Sequence, residues 1–241
     1  MTNVIRCHHW VHEQPRTDIG AGTGHGGSKL AESNWNSYTL YWEAMSGAMV
    51  VELLLDEIGV DYERQAVDMA AGEHRTERFL SLNPTGQVPA LRLPEGKTIG
   101  ESAAIILTLG ERHPGSFVPL SGDADRPDFL RWLIYMAASP YMTFVQFNHP
   151  YRFLDNHDAY GALIENARNR LLTQFSALEA AISGAPYFLP RGPTALDFYL
   201  YMLTEFFDDR QGLFRKRPKL AALHDAISSR DSVGRIRPGH G

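Results

Sequence analysis

Apolar residues follow different periodicities in the two halves of this chain. In the first half, short segments typical of strands alternate with segments of helical period, such as residues 48–59, where Val50, Leu54 and Ile58 share one face. From Pro119 onward the strand pattern disappears and long amphipathic segments follow. The pattern therefore predicts a mixed α/β part followed by an all-helical part.

The first half predicts the element order βαβαββα. The predicted elements are a strand at 38–42, a helix at 48–59, a strand at 62–67, a short helix at 73–82, strands at 90–93 and 98–99, and a helix at 101–112. The Pro94-Glu95-Gly96 turn joins the last two strands into an antiparallel hairpin. Because a β-helix-β unit in one sheet is almost always a parallel crossover, the first two strands are expected to be parallel.

Four amphipathic segments form the predicted helical half, at residues 126–146, 157–183, 194–207 and 218–230. Pro140 falls within the first of them, and we expect it to kink or divide that helix because proline removes a backbone donor. Residues 1–37 are rich in Gly, Ser, Thr and Asn and show no period. We therefore predict three regions: an extension at 1–37, an α/β domain at 38–114 and a helical domain at 120–241.

Composition and charge exclude several classes of protein. Hydrophobic residues make up 44% and charged residues 21%, as in folded globular proteins. A net charge of -5 provides no broad basic field, so neither nucleic acid nor a membrane is an expected partner. Cys7 is the single cysteine, which excludes an internal disulfide and a cysteine-based zinc site, and we expect no metal. The chain has no long apolar run and no signal-peptide pattern, which predicts a cytoplasmic protein.

Two motifs resemble those of the cytosolic glutathione S-transferases of the bacterial type. The first is NPTGQVPAL at residues 83–91 followed by Gly100-Glu101-Ser102, and the second is the Thr194-x-x-Asp197 element one domain later. The resemblance covers residues 38 to 237. It implies a thioredoxin-like N-terminal domain of order βαβαββα followed by an all-α helical-bundle domain, with Thr194 and Asp197 as a structural N-cap.

The resemblance also implies where glutathione binds. The Val88–Pro89 bond would be cis, leaving the preceding backbone exposed to pair with the cysteinyl part of glutathione. Glu101 and Ser102 would hold the γ-glutamyl amine and carboxylate at the amino end of a helix, which favours an anion. Gln87 would contact the glycyl or cysteinyl arm.

The catalytic position matches the family less well. Family members place a Tyr, Ser or Cys near the start of the first helix, and an ungapped match puts Gly47 there with Ser46 one residue early. We predict Ser46 as the catalytic residue, because the chemistry needs only a donor near the helix amino end; an ordinary helix cap is the alternative. Tyr41 is the other nearby hydroxyl. Strand alternation places Tyr41 and Leu40 on opposite sides, so only one is expected to face the core.

For the second substrate, the family uses an apolar pocket between the first loop and the helical domain. Aromatic and sulfur-containing side chains suit adaptable apolar ligands. The candidates are Trp42, Met45, Tyr135, Tyr141, Phe144 and Phe147. Because most aromatic residues at helical spacing belong to the core, roughly half of these candidates are expected to be misassigned.

The resemblance implies a glutathione S-transferase whose co-substrate thiolate attacks a small hydrophobic electrophile, and a homodimer with twofold symmetry. Two other functions remain open. One is a non-catalytic glutathione-binding or scaffolding protein, which Gly47 at the nucleophile position favours. The other is a glutathione-dependent enzyme with a different reaction, such as a peroxidase, isomerase, dehalogenase or etherase.

Overall fold

The computed structural model describes residues 37–115 and 117–240, so the predicted N-terminal extension, apart from Ser37, lies outside the described residues. The α/β elements are β1 (Tyr38–Trp42), α1 (Ala48–Ile58), β2 (Tyr62–Ala66), α2 (Glu77–Leu82), β3 (Ala90–Arg92), β4 (Thr98–Gly100) and α3 (Ser102–Arg112). A 3-10 turn at Glu73–Arg75 precedes α2. The predicted order βαβαββα is confirmed.

The four strands form one sheet in the order β2-β1-β3-β4. The strands β1 and β2 run parallel, with Tyr38 opposite Tyr62, whereas β3 is antiparallel to both β1 and β4. Both the parallel crossover and the hairpin therefore agree with the pattern of the chain. Because β1 and β3 are antiparallel neighbours, with Tyr41 opposite Ala90, the loop that follows β1 lies beside the turn that leads into β3.

Both faces of β1 are buried, which corrects one expectation. Leu40 lies in the large core that α1 and α3 cover, whereas Tyr41 lies in a smaller cluster with Val67, Phe79 and Val88. The two side chains face opposite sides, as period two requires. Tyr41 is nevertheless only 5% exposed, because Phe79 of α2 covers the second face with its ring centre 6.0 Å from the tyrosine ring.

The second half is all helical, as predicted. It comprises α4 (Arg126–Ala138), α5 (Pro140–Asn148), α6 (Tyr160–Ala181), α7 (Ala195–Glu205), α8 (Arg210–Arg215), α9 (Pro218–Ser228) and α10 (Asp231–Ile236). Pro140 divides the first predicted segment: α4 ends at Ala138 and α5 begins at the proline. The pattern missed α8 and α10, because six residues are too few to show a helical period. The boundaries of the three predicted regions stay predictions.

The helix α7 is the centre of the described fold. All of its residues from Ala195 to Thr204 are buried, and it contacts α1, α4 and α9. A helix that is apolar all round belongs inside a core. One continuous apolar cluster therefore runs from the sheet of the first half, through α1 and α3, into the helices of the second. Among the described residues, no helix combines the length and apolar character needed to cross a membrane.

The C-terminal segment returns to the first half of the chain. His240 Nε2 lies 2.8 Å from Glu52 Oε2 on α1, and both side chains are buried. Glu52 Oε1 also lies 3.1 Å from Arg64 Nε. Nearby, Arg230 Nε donates to Glu57 Oε1 at 2.6 Å. The contacts of His240 with Glu52 and of Arg230 with Glu57 attach the end of the helical part to α1.

Candidate functional site

The turn between α2 and β3 presents the backbone of Val88. The Val88–Pro89 bond is cis, as the motif predicted. Asn83 is buried and holds the turn from inside, since its Nδ2 donates to Gln87 O at 2.8 Å and its Oδ1 accepts from Thr85 Oγ1 at 3.0 Å. The backbone of Val88 makes no hydrogen bond to another described residue. An extended peptide can therefore pair with it in the manner of an added strand.

The helix α3 begins at Ser102, one residue after the predicted start at Glu101. Glu101 is the N-cap residue, with φ 64° and ψ 108°, and its side chain caps no amide of the helix. A non-glycine residue in this left-handed region carries backbone strain. Its exposed carboxylate has no hydrogen bond or ion pair within the described residues. The acid is therefore available to a ligand at this helix end.

Ser102 is oriented by the helical half of the molecule. Its Oγ is hydrogen-bonded to Tyr199 Oη on α7, at 2.9 Å. Burial raises the pKa of Tyr199 well above its ordinary value, so the phenol stays neutral. Sequence reasoning missed Tyr199, because its position in the buried run of α7 resembles that of any core aromatic residue.

The amino end of α1 meets a tyrosine of the helical half. Gly47 N, at the N-cap of α1, donates to Tyr141 Oη of α5 at 2.9 Å. A Cβ placed on Gly47 would lie 3.1 Å from Tyr141 Oη and 3.2 Å from Pro89 Cδ. The start of α1, the cis-proline turn and α5 therefore converge on one point, and there is little room there for a side chain at position 47.

Ser46, the predicted catalytic residue, lies just before this point. Its Oγ donates to Glu43 O at 2.7 Å and accepts from Ala48 N at 3.2 Å. These bonds are those of a residue that organises the loop and caps the helix. The next residue back, Met45, has a φ of 52° and is 47% exposed. It adjoins the place where the start of α1, the Pro89 turn and Tyr141 of α5 meet, which we call the cleft.

The predicted pocket residues are not all brought to this cleft. Trp42 packs against the C-terminal segment, with its ring 5.2 Å from that of His240 and 3.7 Å from the Arg64 guanidinium carbon. Phe144 is only 2% exposed and packs on Phe175 in the core. Trp42 ends β1 and Phe144 lies within α5, so both belong to elements next to the start of α1, but their side chains pack elsewhere.

The remaining two pocket candidates lie on other parts of the helical half. Tyr135 packs edge-on against Trp132, with ring centres 5.4 Å apart. The Arg168 guanidinium carbon lies 5.4 Å from the ring centre of Phe147. Among the predicted pocket residues, Tyr141 and Met45 are therefore the ones that adjoin the start of α1.

Positive charge gathers on the other side of the cis-proline turn. The His74 backbone oxygen lies within 3.0 Å of a Cβ placed on Gly86, so the turn at Glu73–Arg75 packs on the residues before Val88. Burial and the neighbouring Arg75 and Arg152 lower the pKa of His74, whose buried Nδ1 has no hydrogen-bond partner among the described residues. Sequence reasoning missed these residues, because isolated basic side chains resemble an ordinary solvated surface.

The second motif closes a buried hydrogen-bond network. Asp197 Oδ2 accepts from Thr194 N at 2.7 Å and from Thr194 Oγ1 at 3.1 Å, and its Oδ1 accepts from Phe188 N at 2.6 Å. Burial raises the pKa of Asp197 to about 6, although these hydrogen bonds act in the opposite direction. Thr194 and Asp197 form the predicted capping box.

Comparison with protein families identifies both halves. Residues 45–112 match the glutathione S-transferase N-terminal domain, and residues 161–226 match the glutathione S-transferase C-terminal domain. The chain belongs to the glutathione S-transferase family. Gly47 and Pro89 lie in the first matched domain, whereas Tyr141 lies in the stretch between the two matched ranges. The described residues contain no group of three or more His, Cys, Asp or Glu side chains arranged to hold a metal ion.

Two relatives match different shares of the chain. The chain is 28% identical over 184 residues to an uncharacterized glutathione S-transferase-like protein, YncG, of Escherichia coli, covering 75% of this chain and 87% of that protein. It is 42% identical over 79 residues to maleylacetoacetate isomerase of Pseudomonas aeruginosa, covering 32% of this chain and 36% of the isomerase.

Solved structures share the fold at lower identity. A glutathione transferase homologue from Sulfitobacter with bound glutathione aligns with a TM-score of 0.77 at 21% identity, covering 84% of this chain and 98% of the other. The complex of Ure2p with glutathione aligns with a TM-score of 0.75 at 22% identity, covering 85% and 100%. These similarities show that the chain shares the fold of these proteins, a thioredoxin-like domain followed by a helical domain.

Proposed function

We propose that this protein is a glutathione S-transferase that activates the thiol of glutathione for attack on a hydrophobic electrophile. One observation carries the proposal: Val88, whose backbone makes no hydrogen bond to another described residue, precedes the cis Pro89, and the Pro89 ring lies beside the amino end of α1. A peptide paired with Val88 would bring a cysteinyl side chain toward Gly47, where the dipole of α1 favours negative charge on sulfur.

The charges around the cleft are complementary to glutathione. Glu101 suits the γ-glutamyl ammonium, and Ser102 with the amino end of α3 suits the neighbouring carboxylate. On the opposite side of Val88, Arg75 and the exposed Arg152 suit the glycyl carboxylate. Gln87, exposed on the turn, can contact the arm between them. The glutathione complexes among the structural relatives support the same ligand.

The reaction needs little beyond a stabilised thiolate. The thiol proton leaves to water, and the sulfur lone pair forms an S–C bond with the electrophilic carbon while the leaving group departs with its own bonding pair. The apolar part of the electrophile would contact Met45 and the ring of Tyr141 at the cleft mouth. A homodimer is a further prediction from the family resemblance, and a cytoplasmic location is a further prediction from the sequence.

A non-catalytic glutathione-binding protein is the second candidate. It is favoured by Gly47 at the position where the family carries a hydroxyl or thiol, and by the Ser46 hydroxyl, which already donates to Glu43 O. One structural relative is the nitrogen regulation fragment of the yeast prion protein Ure2p, aligned at a TM-score of 0.76 and 23% identity. The isomerase relative makes isomerisation with glutathione a third candidate.

One titration separates the first two candidates. Purified protein is titrated with glutathione at neutral pH by calorimetry while the ultraviolet absorbance of the thiolate is followed, and chlorodinitrobenzene is then added as the electrophile. Saturable binding with a growing thiolate signal and turnover would support the transferase. Binding of the neutral thiol without turnover would favour the binding protein, and a lack of binding would refute both.

A further inference from the structure

The hydroxyl groups of Ser46 and Tyr141 lie at the start of α1. They differ in whether the hydroxyl hydrogen is already donated to an acceptor in the protein. The Ser46 hydroxyl hydrogen is donated to Glu43 O at 2.7 Å, and its oxygen accepts from Ala48 N. To contact a ligand, Ser46 would have to give up a bond that holds its own loop. The Ser46 hydroxyl is therefore poorly placed to donate a hydrogen bond to a thiolate, because its hydrogen is already donated to Glu43 O.

The Tyr141 hydroxyl is in the opposite situation. It accepts a hydrogen bond from Gly47 N at 2.9 Å, yet its own hydrogen has no acceptor within the described part of the chain. The oxygen lies beside Gly47, whose Cβ position is also within 3.2 Å of Pro89 Cδ. A free donor therefore stands where the amino end of α1 and the cis-proline turn meet.

We propose that the Tyr141 hydroxyl, supplied by α5 of the helical domain, donates the hydrogen bond that stabilises the glutathione thiolate. This inference rests on the proposed function, because it assigns a residue to the same site. In the family, a residue of the first loop of the thioredoxin-like domain stabilises the thiolate. Here Gly47 occupies that position without a side chain, and a tyrosine of the second domain would supply the donor instead. Tyr141 is then a catalytic residue and not only an apolar wall.

The surroundings of Tyr141 suit a donor. The Gly47 N–H at the positive end of α1 polarises the phenol oxygen, which makes the O–H a stronger donor. Burial raises the pKa of Tyr141, so the phenol keeps its proton at neutral pH and can share it with an anion. Its ring packs edge-on against Phe206, at 6.5 Å between ring centres, which fixes the direction of the hydroxyl.

The step requires no proton transfer from tyrosine. The thiol proton of glutathione leaves to water, Tyr141 keeps its own proton in a hydrogen bond to sulfur, and the thiolate then attacks the electrophile as described above. The donor lowers the thiol pKa because it stabilises only the charged form. Its removal should therefore affect ionisation and turnover more than the affinity for the neutral thiol.

The test compares Tyr141→Phe with Ser46→Ala, and uses Tyr160→Phe as a matched control. Tyr160 lies at the start of α6, where its ring stacks on His157 outside the candidate site. Thiolate absorbance of bound glutathione is followed against pH. We expect Tyr141→Phe to raise the bound thiol pKa by about one unit and to lower turnover at least about tenfold, with affinity changed less than about threefold. The Tyr160→Phe protein should match the parent in all three quantities, and Ser46→Ala, which loses only its loop and cap hydrogen bonds, should keep the bound thiol pKa of the parent.

Two further readouts keep the test decisive. Circular dichroism and glutathione affinity reveal whether Tyr141→Phe folds, and fluorotyrosine incorporated at position 141 preserves the shape while making the phenol a stronger donor. The fluorinated protein should show a lower bound thiol pKa than the parent. An unchanged thiol pKa in both Tyr141 variants would overturn the inference while leaving the transferase proposal intact, whereas absence of glutathione binding by the parent protein would refute both.

Discussion

The helices α3 and α7 both begin with a hydroxyl and a carboxylate, yet they use them in opposite ways. At α7, the two oxygens of Asp197 accept three hydrogen bonds from Phe188 and Thr194, and the side chain is fully buried. At α3, the Glu101 carboxylate is exposed and has no partner in the described part of the chain, and the Ser102 hydroxyl bonds only to Tyr199. A carboxylate whose bonds are all made within the chain is structural, whereas one left open at a helix end is available to a ligand.

Backbone conformation follows the same division. Thr194 has an extended backbone, at φ -134° and ψ 172°, which is the ordinary geometry of an N-cap residue. Glu101 adopts φ 64°, which a non-glycine residue rarely does, and it caps nothing. Strain at Glu101 is consistent with a residue retained for contact with a ligand, since helix capping alone would favour an unstrained Ser, Thr or Asp.

The largest expected effect is the loss of the buried carboxylate at α7. Asp197→Ala removes three hydrogen bonds and leaves the Phe188 and Thr194 amides buried without acceptors. We expect the free energy of unfolding to fall by about 4 kcal/mol, because each unsatisfied buried donor costs about 1–3 kcal/mol. Urea denaturation at neutral pH measures the change. The exposed Asp155→Ala is the control, and an equal effect of both substitutions would contradict the structural role of Asp197.

The second prediction is a pH dependence that originates in Asp197. Burial raises the folded-state pKa of this carboxyl to about 6 from a usual 3.8. The folded protein therefore binds the proton more tightly than the unfolded chain does. The stability contributed by protonation is complete below about pH 4 and is lost as the pH rises through 6, a difference of about 3 kcal/mol.

The neutral variant Asp197→Asn isolates this contribution. We expect the difference in unfolding free energy between parent and variant to change between pH 4 and pH 7, as measured by urea denaturation at each pH. Glu205, at the other end of α7, titrates in a lower range: burial raises its pKa, but hydrogen bonds from His224 and Arg237 outweigh this and lower the pKa to about 2. A constant difference across the range would show that Asp197 has an ordinary pKa.

Substitution of Glu101 is expected to change stability least among these predictions. It should nevertheless weaken glutathione binding strongly. Glu101→Ala should weaken glutathione binding about tenfold, from loss of a charge-assisted contact to the ammonium group, and leave the unfolding free energy within about 0.5 kcal/mol. Glu101→Gly should lose the same affinity and gain up to about 1 kcal/mol of stability, because glycine adopts positive φ without strain. Calorimetry and urea denaturation measure the two quantities.

Glu111→Ala provides the control at the opposite end of α3, where the residue is also exposed. It removes the same charge from the same helix, so its glutathione affinity should match that of the parent. If Glu101→Ala and Glu111→Ala weakened glutathione binding equally, the effect would be a long-range effect of charge and not a direct contact with Glu101. If Glu101→Ala lowered the unfolding free energy but left glutathione affinity unchanged, Glu101 would have a structural role like that of Asp197. The contrast between the starts of α3 and α7 would then be refuted.

Local patterns were sufficient for the order of elements and for the two motif turns. The periodicity of residues 48–59, the Pro94–Gly96 turn and the break at Pro140 depend on near neighbours in the chain, so the helices, the hairpin and the division of α4 from α5 could be predicted. The cis Val88–Pro89 bond and the Thr194–Asp197 capping box followed from the resemblance.

The contacts that build the cleft could not be predicted in this way. Tyr141 reaches Gly47 across 94 positions of sequence, and Tyr199 reaches Ser102 across 97. In the pattern of the chain, both tyrosines resemble Phe144, which faces the core. Which face of α5 meets the start of α1 depends on how two domains pack, and that packing is a property of many apolar contacts together.

The amino-acid sequence by itself determined the two-part architecture, the family and the turn that presents Val88, because these depend on periodicity and short motifs. Only the tertiary structure decided that the Asp197 carboxylate is hydrogen-bonded inside the fold while the Glu101 carboxylate is exposed. It also decided that a tyrosine of the second domain lies at the amino end of α1. Hydrogen bonds and burial are satisfied between segments far apart in the chain, so the availability of a polar group is settled only when those segments meet.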